Sequence, residues 1–244
     1  MNISLLQYKE PALVWIKAHK VRSVIGGILI LLFLQYLALP NNSLQSLRKN
    51  NPGMTAMMEQ RIDEASAGDK KFSIQQTWVP LSRISRHLVN AVIVSEDGMF
   101  YEHEGVDWYE IGESLEKNFE RGKAARGGST ISQQLSKNLY LSTSKDPVRK
   151  LKELVITLRM ERMLSKRRIL EIYLNVIEWG DGVFGAEAAA KKYFGKSASQ
   201  LSREEAAQMA AVIPSPRKNK PNVLTRYVAR RSSIILSRMS ARGM

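Results

Sequence analysis

Apolar residues recur at helical spacing along most of this chain, and strand-like alternation is scarce. The periodicity predicts helices over Leu88 to Glu96, Ile131 to Tyr140, Lys166 to Asn175, Ala186 to Phe194, Ala206 to Ile213 and Leu224 to Met239. Several carry start signals. Ser129-Thr130 supplies an N-cap before Ile131. Asp146-Pro147 couples an Asp cap to a Pro in the first turn, and Ser202 with Glu205 forms a capping box. After Asp146 the apolar positions Val148, Leu151, Val155 and Leu158 repeat at helical spacing, which leaves Arg149 and Glu153 one turn apart on the polar side. Phe72 to Leu81 is the best strand candidate. The pattern predicts a mostly α fold.

One run breaks this pattern. Ser23 to Leu39 carries no charge and no polar stripe, and sits at the lower limit of length for a membrane-spanning helix. Lys9, Lys17, Lys20 and Arg22 precede it against a single Glu10, so the amino-terminal flank is expected to stay cytoplasmic and the rest to be exported. Leu37-Ala38-Leu39-Pro40 is a poor cleavage site, which favours a retained anchor over a cleaved signal peptide. The expected organisation is a basic cytoplasmic segment (1–22), a transmembrane anchor (23–39), a linker rich in Asn, Ser and Pro (40–53) and an exported helical body (54–244).

Composition narrows the partners. The chain has 37 Lys plus Arg against 23 Asp plus Glu, a net charge of +14, and is drawn to nucleic acid, anionic lipid or a phosphorylated substrate. It has no cysteine, which excludes a disulfide framework and a thiolate metal site, and its three histidines, His19, His87 and His103, are scattered.

Five clusters can carry chemistry. Glu96-Asp97, with Phe100, His103 and Gly105 following, ends an apolar helical run. A partly desolvated carboxylate at a helix C-terminus is expected to have a raised pKa, as a general base needs. Gly127-Gly128-Ser129-Thr130 precedes Gln133, Gln134, Lys137 and Asn138. The glycine spacing invites a P-loop reading, but Gly128 stands where the phosphate-binding Lys belongs and no strand precedes it. Glycines before a helix still expose N–H groups to anions or sugar oxygens, and amides one turn apart suit sugar hydroxyls. Arg149-Lys150 with Glu153 reads as a surface ion pair or as a carboxylate among cations at a phosphate site. Ile169, Glu171, Tyr173, Leu174 and Asn175 are mostly core-like, and Arg230-Arg231 opens a basic helix with one apolar face.

Taken in order, these five motifs resemble the peptidoglycan glycosyltransferases of family 51, and within it the monofunctional biosynthetic enzymes. The resemblance runs from about Thr77 to the end, with Ile235-Leu236 where Val-Leu is more usual. It implies a lysozyme-like, mostly α glycosyltransferase domain over 54–244 with one N-terminal transmembrane helix, and a hydrophobic jaw that dips into the membrane. It implies lipid II and the growing glycan strand as substrates. Glu96 matches the catalytic base and Glu153 the second acid, acting on the diphosphate directly or through a divalent cation such as Mg or Mn. Chemistry itself then requires no cofactor. Asp97, Phe100, His103, Ser129, Thr130, Gln133, Gln134, Lys137, Arg149, Lys150 and Asn175 become substrate-binding candidates, with Lys145 a further diphosphate partner. The implied location is the bacterial inner membrane, catalytic domain periplasmic, with cell-division or wall-synthesis proteins as partners.

Two rival readings fare worse. A lytic hydrolase of similar fold has no need for cations around a diphosphate. A tethered nucleic-acid binder would use the positive charge, but export and the scarcity of aromatics in the basic runs argue against it.

Overall fold

The computed structural model describes residues 19–27, 40–69, 71–113, 128–141, 143–144 and 146–244. It divides into two units, Met1–Pro40 and Asn41–Met244. In the first, 20–27 are helical and 28–39, most of the expected anchor, lie outside the described residues. No helix among the described residues is long and apolar enough to cross a membrane.

The second unit is mostly helical, as expected. Its principal helices are α1 (Asn41–Ser46), α2 (Ala56–Ala67), α3 (Arg86–Glu96), α4 (Ile131–Tyr140), α5 (Pro147–Met163), α6 (Lys166–Val176), α7 (Ala186–Phe194), α8 (Arg203–Val212) and α9 (Arg226–Ala241). Side-chain caps start most of them: Thr55 for α2, Ser85 for α3, Thr130 for α4, Asp146 for α5, Ser165 for α6, Ser202 for α8 and Thr225 for α9. Pro147 occupies the first turn of α5, where its missing N–H costs nothing.

Helix α8 packs on α3 and α9, while α4 packs on α2, α5 and α6. Leu88, Ala91, Val92, Ile93 and Val94 bury α3; Ile169, Leu170, Ile172, Tyr173 and Leu174 bury α6. Burial of this kind stabilises by roughly 1.5–3 kcal/mol per large side chain, so α3 and α6 are rigid supports for whatever their ends carry.

Three expectations are corrected. The strand expected over Phe72 to Leu81 shrinks to β1 (Gln75–Gln76), followed by a 3-10 turn at Leu81–Arg83. It pairs in parallel with β3 (Val183–Phe184), which pairs antiparallel with β2 (Glu178–Gly180) across a bulge. The 40–53 segment is not all linker: Leu44 and Leu47 are buried, α1 packs on α5, and Arg168 donates to the carbonyls of Leu47 and Asn50 at 2.8 Å each. On α5 the apolar stripe faces outward. Val148, Leu151 and Leu158 are exposed, and Glu153, Ile156, Thr157 and Met160 are buried. The physical reason is the neighbour. Helix α4 presents Ser132 and Ser136, which hydrogen-bond to Glu161 and Thr157, so a polar stripe of α5 turns inward.

Candidate active site

The first and second motifs interlock where α3 ends and α4 begins. Asp97 follows α3, and its buried carboxylate accepts the Ile131 N–H at 2.9 Å in the first turn of α4, where the helix dipole favours an anion. The same carboxylate accepts from His103 Nε2 at 2.9 and 3.2 Å. His103 Nδ1 takes the Gly105 N–H at 3.0 Å, so the ring proton sits on Nε2. The Gly105 carbonyl accepts from Thr130 Oγ1 at 2.7 Å. Gly105 has φ +92°, and a Cβ there would lie 2.7 Å from Glu161 Cγ, so a side chain cannot be accommodated. Phe100 is fully buried with the Lys166 ammonium 4.7 Å from its ring centre.

This clamp fixes Glu96 at the end of α3. Its carboxylate accepts from Ser95 Oγ and Gln134 Nε2, both at 3.1 Å, and lies 3.9 Å from Arg231 on α9. Burial pushes the Glu96 carboxyl above the usual carboxylate range, against the pull of Gln134, Ser95 and Arg231. It borders a cavity of about 520 Å³ whose lining includes Asp107, Glu110, Arg238 and Arg242.

A cationic surface lies alongside. Buried Glu153 on α5 accepts from Arg149 at 2.6 Å and from Lys150 at 2.5 Å. Lys150 also donates to Ser129 Oγ at 3.3 Å, and the Ser129 carbonyl accepts from Gln134 at 3.3 Å. A continuous polar chain therefore runs Glu96, Gln134, Ser129, Lys150, Glu153. Burial pushes the Lys137 ammonium below the usual lysine range; Glu153 opposes the shift, and Arg149, Lys150 and Arg61 add to it. A buried carboxylate beside convergent cations can take a proton and stabilise a leaving anion.

A transglycosylase family profile matches residues 63–240. The chain belongs to the transglycosylase family. It is 51% identical over 191 residues to a biosynthetic peptidoglycan transglycosylase of Nitrosospira multiformis, covering 78% of this chain and 83% of the relative. A relative of the same description from Dechloromonas aromatica is 49% identical over the same shares. One from Azoarcus is 52% identical over 171 residues, 70% of this chain and 74% of its own.

Within this transglycosylase the sequence candidates fall into two groups. Glu96, Ser129, Gln134, Lys137, Arg149, Lys150 and Glu153 gather around the polar chain just described. Asp97, Phe100, His103, Thr130, Gln133 and Asn175 make their contacts within the fold, with Asp97 also lining the Glu96 cavity. Gln133 completes the capping box with Thr130. Asn175 is fully buried, takes the Val79 N–H at 3.0 Å and donates to the carbonyls of Val79 and Glu171. The polar groups among them are engaged within the fold, and those bonds fix the elements around Glu96. Lys145 lies outside the described residues, as does Gly127.

At Glu153, where the resemblance places a divalent cation at the diphosphate, the chain offers a single carboxylate. Both of its oxygens are held by cations, and no group of three or more His, Cys, Asp or Glu among the described residues could hold an ion. Sequence reading also left Tyr173 and Arg231 out of the candidate set. Tyr173 looked like core and is core, yet its hydroxyl reaches Gln134 at 2.8 Å. Arg231 lay inside the fifth motif, which pointed to it without giving it a partner.

Proposed function

We propose that this transglycosylase polymerises the glycan strands of peptidoglycan from lipid II, with inversion and release of undecaprenyl diphosphate. Glu96 acts as general base. It removes the proton of the acceptor sugar hydroxyl as that oxygen attacks the anomeric carbon of the donor, and the diphosphate leaves with the electrons of the broken C–O bond. Lys137, Arg149 and Lys150 receive the diphosphate charge, and Glu153 holds the latter two in place. The observation that carries this reading is the Glu96-to-Glu153 chain: a desolvated carboxylate connected through Gln134 and Ser129 to a cationic surface. Segment 23–39 anchors the enzyme in the inner membrane with the catalytic body periplasmic, which keeps the site beside a membrane-bound substrate.

The purified chain incubated with lipid II is expected to yield polymeric glycan in bilayers or detergent. Recovery of free disaccharide-peptide without polymer would instead indicate a hydrolase. A reporter active only in the cytoplasm, fused after Met244, is expected to be silent; an active one overturns the topology.

A further inference from the structure

The Gln134 amide lies between Glu96 and Tyr173, and its surroundings dictate which way it points. Nε2 donates to Glu96 Oε2 at 3.1 Å and to the Ser129 carbonyl at 3.3 Å. An ionised carboxylate and a carbonyl only accept, so the NH2 must face them. Oε1 then faces Tyr173, whose hydroxyl donates to it at 2.8 Å. Tyr173 is fully buried on α6, out of reach of any substrate. Burial, with the Glu96 and Asp97 charges, pushes its phenol well above the usual tyrosine range, so the hydroxyl keeps its proton and remains the donor.

We propose that Tyr173 is a positioning residue for glycosyl transfer: its hydroxyl locks the Gln134 amide with the NH2 toward Glu96 and so keeps that carboxylate ionised and in place. This rests on the assignment of Glu96 as the base.

The other groups facing Glu96 cannot replace the lock. Ser95 donates at 3.1 Å from the same helix, Asp97 is a second acid next in sequence, and Arg231 on α9 stands 3.9 Å away. Without the Tyr173 hydroxyl, only Glu96 and the Ser129 carbonyl hold the Gln134 amide, and turning it over costs one hydrogen bond less. A reversed amide points its oxygen at Glu96, and two acceptors in contact favour the protonated acid, which is not a base.

The test is the pH profile of kcat/KM for lipid II polymerisation by the full chain carrying Tyr173→Phe. The acid limb is expected to move to higher pH by about one unit, the scale of one hydrogen bond to a charged group. Above the limb the rate should return to near wild type with KM little changed. In a Gln134→Leu background, which itself moves the limb the same way, Tyr173→Phe should add nothing. An unmoved limb, a loss equal at every pH, or a Tyr173→Phe effect that persists without Gln134 overturns the proposal. Should Tyr173→Phe fail to fold, the limb of Gln134→Leu alone decides, and an unmoved limb there overturns the relay. Activity retained by Glu96→Gln overturns the base assignment itself. An inactive Glu96→Gln alongside an unmoved limb sinks only the role of Tyr173.

Discussion

Helices α3 and α5 each deliver one carboxylate to the site, by opposite means. Helix α3 buries its apolar face as its sequence dictates, and Glu96 is desolvated because it ends that face, with two neutral donors and a distant Arg231 around it. Helix α5 turns its apolar stripe outward and buries Glu153 instead, with both oxygens held by Arg149 and Lys150. The same side chain is thereby left to exchange a proton in one place and to organise cations in the other. Environment, not residue type, separates the two roles.

The sharpest way to break this comparison is Glu96→Gln, which keeps the shape and removes the base. Polymerisation from lipid II is expected to fall by about 10²–10⁴-fold. The fold should move the other way. Burial raises the Glu96 pKa in the folded protein, so its folding benefit is present below the unfolded pKa and is lost as pH rises through the folded one. At neutral pH the ionised group is a burden, and Glu96→Gln should melt higher than wild type, the gap closing as the solution is acidified. A melting gap between Glu96→Gln and wild type that is the same in acid and at neutral pH would contradict the desolvation argument. The same raised pKa predicts that wild-type activity falls on acidification at a pH above the ordinary carboxylate range.

Glu153→Gln tests the other half. It removes the carboxylate that Arg149 and Lys150 share, leaving Lys150 on Ser129 and Arg149 on the Ser144 carbonyl, and polymerisation should fall less than in Glu96→Gln. Here stability should drop, because a buried ion pair loses one member. Opposite signs of the two melting shifts would support the comparison; the same sign would remove it. Next in size is Asp97→Asn. Two donors, His103 Nε2–H and the Ile131 N–H, converge on its carboxylate, and one Asn oxygen serves only one of them well. A loss of about 1–3 kcal/mol is expected from thermal or urea unfolding, with activity falling because Glu96 is no longer fixed.

How much of this was legible in the sequence follows from which interactions are local. The caps at Thr130, Asp146 and Ser202 bond within three residues of themselves, so spacing alone exposes them. The mostly helical fold and the burial of α3 followed from periodicity. The inward stripe of α5 did not, because it depends on Ser132 and Ser136 of a different helix. Gln133, Gln134 and Asn175 look alike as amides. Only tertiary contacts show that one caps a helix, one faces Glu96 and one staples Val79 to α6. The sheet was missed in extent because a two-residue strand shows no alternation to read.

The smallest expected effect probes that inversion directly. If the apolar stripe of α5 were core, Leu151→Gln would cost several kcal/mol. Leu151 is instead 45% exposed, alongside Val148 at 46% and Leu158 at 36%. A polar substitution on an exposed face, away from caps and ion pairs, stays within about 0.5 kcal/mol. On the opposite face Ile156 is 1% exposed, and Ile156→Ala should cost about 2–5 kcal/mol through lost burial and the cavity it leaves. The two variants lie five positions apart on one helix, and Ile→Ala gains helix propensity where Leu→Gln loses a little, so helix formation cannot account for a larger loss in Ile156→Ala. Urea unfolding of both in detergent measures it. A Leu151→Gln loss approaching that of Ile156→Ala would mean that α5 sits the other way round. Glu153 would then face solvent, Arg149 and Lys150 would be held by an ordinary surface pair, and the contrast with Glu96 would disappear.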